Sequence, residues 1–84
     1  MVTLFVLNVA EFQSLIQVAR RQAGVEIIDG PPGYTRIRSA GVIELKRKDL
    51  GVKPAVWYGA LTGGVVGRVV EYSRDTLRIE KEDS

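Results

Sequence analysis

The chain has 84 residues, no histidine, no cysteine and a formal net charge of +2. An apolar content of 45% suits one folded domain near the small end of what folds alone. The missing residue types exclude disulfides, the usual zinc, iron and copper ligand sets, and Ser-His-Asp or Cys-His nucleophile pairs.

They also remove the side chain most often used as a general base near neutral pH. Carboxylates alone suit hard ions, but Glu11, Glu26, Asp29, Glu44, Asp49, Glu71 and Asp75 have no spacing that forces two of them together. We therefore expect no catalytic residues, no metal and no cofactor, and a protein that is not an enzyme. No stretch reaches the ~18 apolar residues of a membrane span, and the apolar N-terminus lacks the basic flank of a signal peptide. A cytoplasmic location without membrane contact is expected. Residues 80–84 form a short acidic tail, so residues 1–79 carry 11 basic and 7 acidic groups, or +4.

In chain order, residues 3–7 are apolar on both parities, as in a deeply placed strand. Asn8 is the expected cap of a helix, with Glu11 completing a capping box. Phe12, Leu15, Ile16, Ala19 and Ala23 then form one helical stripe, and Gly24 supplies the stop. Residues 25–28 predict a second strand. The Asp29-Gly30-Pro31-Pro32-Gly33 run predicts a turn, because two prolines lack amide donors and Pro-Gly favours type II.

Residues 34–48 alternate. Ile37, Ile43 and Leu45 share one parity; Tyr34, Arg36, Arg38, Lys46 and Lys48 share the other. One long strand with a basic outer face explains this, as does a strand broken or bulged near Ala40-Gly41. Pro54 at a first helical turn and Gly63-Gly64 at the end predict a short helix with Val56, Trp57, Ala60 and Leu61 inward, although Val-Trp-Tyr also suits a strand. Residues 65–72 predict a strand and residues 73–76 a turn. A last strand follows, in which Leu77 and Ile79 alternate with Arg78 and Glu80.

The order is β-α-β-β-α-β-β. The expected fold is a single α+β domain over residues 1–84: a small two-layer sandwich, ferredoxin-like over its first six elements, with a C-terminal strand added to an antiparallel sheet and both helices on one face. That architecture hosts many unrelated functions, so function must come from surfaces.

Tyr34, Arg36 and Arg38, with Lys46, Lys48 and Lys53, could stack a base and neutralise phosphates, or simply keep a strand face solvated. Trp57 is expected as a core anchor; with Tyr58 it could instead form a contact patch. The glycines between Gly59 and Arg68 are ordered wrongly for a phosphate loop, and read as a helix stop plus a strand glycine beside a close neighbour. The Pro-Pro loop is pre-ordered.

These features point to a non-catalytic interaction module, a homo-oligomer or an accessory subunit of a larger protein complex. Its contact surface is drawn from Tyr34, Arg36, Arg38, Lys46, Lys48, Trp57, Tyr58 and Arg68. The alternatives are a single-stranded nucleic-acid binder, and a sensor holding a small anionic metabolite through Arg36, Arg38 or Arg68.

Overall fold

Runs of β-branched and aliphatic residues, separated by glycine-bearing turns, set the strands of this chain. A computed structural model describes residues 1–82; Asp83 and Ser84, the end of the expected acidic tail, lie outside the described residues. The elements are β1 (Val2–Leu7), a 3-10 turn (Ala10–Phe12), α1 (Gln13–Arg20), β2 (Val25–Asp29), β3 (Tyr34–Ser39) and β4 (Val42–Lys46). They continue with α2 (Arg47–Leu50), α3 (Pro54–Tyr58), β5 (Val65–Val66), β6 (Arg68–Tyr72) and β7 (Thr76–Glu80). Helices with antiparallel sheets make the fold α+β.

The strands form two sheets, ordered β2-β3-β1-β5 and β4-β7-β6, where one was expected. Two bends are responsible. The stretch 34–48 breaks at Ala40 and Gly41, so β3 pairs with β1 while β4 pairs with β7. The stretch 65–72 breaks at Gly67, whose φ of 137° is open to glycine and where a Cβ would lie 3.0 Å from the Glu80 carbonyl oxygen. β5 therefore pairs with β1 and β6 with β7. Each bent segment belongs to both sheets, so the pairings run in a ring from β1 through β3–β4, β7 and β6–β5 back to β1.

The core lies inside this ring. Val2, Leu4, Val6 and Ile37 come from the first sheet and Ile43, Leu45, Leu77 and Ile79 from the second, all fully buried. Each such side chain contributes about 1.5–3 kcal/mol. The α1 residues Leu15, Ile16 and Ala19 join them, and α1 touches both β2 and β4, spanning the two sheets rather than lying over one.

The start of α1 differs from the expected capping box. The chain leaving β1 spends residues on a backbone turn and on the 3-10 turn, so the helix begins at Gln13 with no side-chain cap. Asn8 instead accepts the hydroxyl of Thr35. Ala23 falls beyond the helix and is exposed. The helix expected after Lys53 forms as α3 but ends at Tyr58, so Ala60 and Leu61 lie beyond it; Trp57 within it is 1% exposed. Its indole Nε1 donates to the Ser73 carbonyl at 2.9 Å, and the Tyr72 hydroxyl donates to the Trp57 carbonyl at 2.6 Å. Trp57 is thus pinned to the β6–β7 turn as a core anchor.

Candidate interaction surface

Because Val2, Leu4, Val6 and Ile37 face the core, the alternate residues of the first sheet face outward. Across β1 and β3, Thr3 stands opposite Arg38, Phe5 opposite Arg36 and Leu7 opposite Tyr34. On β2, Glu26 faces Arg38 and Ile28 faces Arg36; on β5, Val66 faces Thr3. Val66 is 54% exposed and Leu7 37%, while Phe5, Ile28, Tyr34, Arg36 and Arg38 are partly buried. The Arg36 Nε donates to the Asp29 carbonyl at 2.9 Å, and the Arg38 guanidinium lies 3.0 Å from the Met1 sulfur. Among the described residues, neither arginine forms an ion pair with a carboxylate.

Two glycines hold the Tyr34 end of this face. A Cβ on Gly63 would overlap the Phe5 carbonyl oxygen and come 3.1 Å from the Tyr34 ring. Gly33, with φ of 89°, follows Pro32 in a turn closed by the Tyr34 amide on the Pro31 carbonyl at 2.9 Å, as type II requires. Pro31 and Pro32 are exposed and border the face.

The eight residues expected to share one surface do not do so. Tyr34, Arg36 and Arg38 stay together on the first sheet. The bend at Ala40–Gly41 carries Lys46 to the second sheet, where its Nζ donates to the Thr76 hydroxyl at 3.1 Å and lies 3.8 Å from Glu44. Lys48 leaves the strand pattern altogether, because the Arg47 amide bonds to the Asp75 carbonyl and starts α2. Arg68, on β6, is 3.9 Å from Glu80. Trp57 is in the core. Tyr58, at the end of α3, is exposed with its ring 5.8 Å from that of Tyr72.

The outer face of the second sheet is a closed charge network. Arg78 reaches Glu44 at 2.7 Å and Glu80 at 2.8 Å. The Arg78 hydrogen bond holds the Glu44 carboxyl below its ordinary value of 4.5 against the opposing effect of burial, with Lys46 assisting. Burial of the Tyr72 hydroxyl pushes it in the other direction, above its ordinary 10.0.

One feature had no signal in the sequence. Between α1 and the second sheet lies an open cleft of about 640 Å³, bordered by Arg21, Gln22, Val42, Glu44, Asp49 and Arg78. There the Gln22 side chain donates to the Val42 carbonyl at 2.9 Å and accepts the Glu44 amide at 3.1 Å. A glutamine amide carries one donor group and one acceptor, as a peptide unit does, so Gln22 closes the edge of β4 like a fragment of strand. The cleft mixes both signs of charge and so offers no cradle for an anion.

No helix among the described residues is long and apolar enough to cross a membrane. No protein-family profile matches the chain, and a search of curated proteins finds no relative.

Proposed function

We propose that this chain is a non-catalytic interaction module, a small subunit that assembles with protein partners through the outer face of its first sheet. The observation that carries this is the pair Arg36 and Arg38, without carboxylate partners among the described residues, set among Phe5, Leu7, Ile28, Tyr34 and Val66. Arginine and aromatic side chains recur as the anchors of protein contacts, and a partner surface with carboxylates among apolar groups complements them. A small core also makes assembly a source of added stability. In the same reading the first sheet, β2-β3-β1-β5, is a ferredoxin-like half whose last strand is cut short at Gly67, and the working compartment is the cytoplasm.

Sedimentation of the chain purified from its own cells tests this. The expected result is an assembly heavier than 9.3 kDa that shrinks in R36E/R38E, with circular dichroism showing that the variant still folds. A strict monomer, or an assembly indifferent to R36E/R38E, overturns this placement of the contact.

Single-stranded nucleic acid is the second reading, favoured by Phe5 standing directly opposite Arg36 on an open sheet face. It requires an affinity for random single strands that falls steeply with salt. Flat or absent binding at low salt removes it.

A further inference from the structure

Strand pairing sets the outward side chains of the first sheet in rows. One row runs Glu26, Arg38, Thr3, Val66 across β2, β3, β1 and β5, and the next runs Ile28, Arg36, Phe5. A third sets Tyr34 beside Leu7. Arg36 and Arg38 are two residues apart on β3, so their Cα atoms are about 6.7 Å apart along the strand. The Asp29 carbonyl holds Arg36 at its Nε, and the two η nitrogens have no partner among the described residues. Arg38 meets the Met1 sulfur, a weak acceptor. Both cations are held in place and neither is neutralised. On one side of them β1 presents Phe5 and Leu7; on the other, β2 presents the exposed Glu26 beside Arg38.

We propose that the partner element is an acidic amphipathic α-helix of another protein, laid along β3 and β1. This rests on the sheet-face reading and names what the face receives. Carboxylates at i and i+4 of a helix are about 6 Å apart along its axis, which matches the spacing of the two arginines. The neighbouring stripe at i−4, i+3 and i+7 then brings apolar side chains onto Phe5 and Leu7. Other occupants suit the same groups less well. An extended chain lying on the face, rather than at an edge, has no partners for its amides and carbonyls, whereas a helix satisfies its own. A partner sheet would cover all four strands and bury Glu26, which costs stability unless a cation meets it. A helix about 10 Å wide covers β3 and β1, about 4.8 Å apart, and leaves Glu26 at the margin in water. A second copy of this chain would bring a face with the same excess of positive charge.

The test is an NMR titration of the isotope-labelled full chain with an end-capped peptide of about 20 residues. The peptide carries Glu at i and i+4 and Leu at i−4, i+3 and i+7 in an alanine and glutamine host. Saturable shifts are expected in the amides of β1 and β3, with helical circular dichroism of the peptide rising on binding. R36Q/R38Q is expected to weaken binding about tenfold, and E26K to tighten it about twofold. A peptide of the same composition, with Glu and Leu respaced to the two-residue period of a strand, is expected to bind about tenfold more weakly. An assembly from cells that shrinks in R36E/R38E, while the helical peptide fails to bind or both spacings bind alike, overturns the helix and leaves the sheet-face reading standing. An assembly indifferent to R36E/R38E removes both. Displacement of the peptide by a random single strand at equal concentration, or self-association of the native chain that shuts the peptide out, also overturns the proposal.

Discussion

On the second sheet, Arg78 stands across from Glu44 and reaches it at 2.7 Å, while Glu80 takes the other side of the same guanidinium at 2.8 Å. On the first sheet, Arg36 stands across from Phe5 and Ile28, and Arg38 across from Thr3 and Glu26, with no ion pair to either. The side chain is the same and both faces point outward. What differs is whether a carboxylate closes on the guanidinium. Glu44 and Glu80 both reach Arg78, whereas Arg36 has aromatic and aliphatic neighbours and Arg38, although Glu26 stands opposite, forms no ion pair with it.

The strongest way to break this contrast is through the core that both sheets share. W57A removes the anchor between α3 and the β6–β7 turn and is expected to cost about 3–5 kcal/mol, read by denaturant unfolding. Far smaller, and confined to one sheet, is the effect expected of Q22A. Losing two hydrogen bonds at the edge of β4 should cost about 1–2 kcal/mol, and the Glu44 amide should exchange with solvent faster while the amides of β1 do not.

A direct comparison of the two faces comes from R78A and R36A. Stripping Arg78 leaves Glu44 and Glu80 without their central cation, and a small but measurable loss of stability is expected. R36A should stay within about 0.5 kcal/mol of the native chain, its effect appearing in assembly. Equal losses of stability would mean that the two faces do not differ as described.

The smallest effect is one of pH. The Glu44 carboxyl titrates below its ordinary 4.5 in the folded chain because Arg78 favours its charged form. The stability this supplies is present above that ordinary value and is lost as pH falls through the lowered folded value. The thermal midpoint of E44Q should therefore fall less than that of the native chain across this acidic range.

The alternation in residues 34–48 predicts the buried set well. Ile37, Ser39, Ile43 and Leu45 are all buried, although the strand they were expected to share is two strands in two sheets. The parity survives because two residues, Ala40 and Gly41, separate β3 from β4, and an even number preserves the alternation. Trp57 was legible as an anchor from its size and solitude. The bulge in β6 was not legible: Val69 pairs with Ile79 and Glu71 with Arg78, so the extra Val70 reverses the parity that a regular strand would assign to Glu71. Gln22 gave no sign either: its partners are backbone groups of β4, twenty and more residues away.

By itself the amino-acid order determined what is local. It set the helical stripe on α1, the inward and outward parity of the regular strands, the proline turn before Tyr34, and the lack of imidazole and thiol chemistry. The tertiary structure decided which sheet each strand joined, which arginines met a carboxylate, and which margins were left unpaired. The reason is physical: side-chain periodicity follows from the geometry of one strand, whereas a cross-strand neighbour is chosen by bends and core packing that bring together residues far apart in the chain.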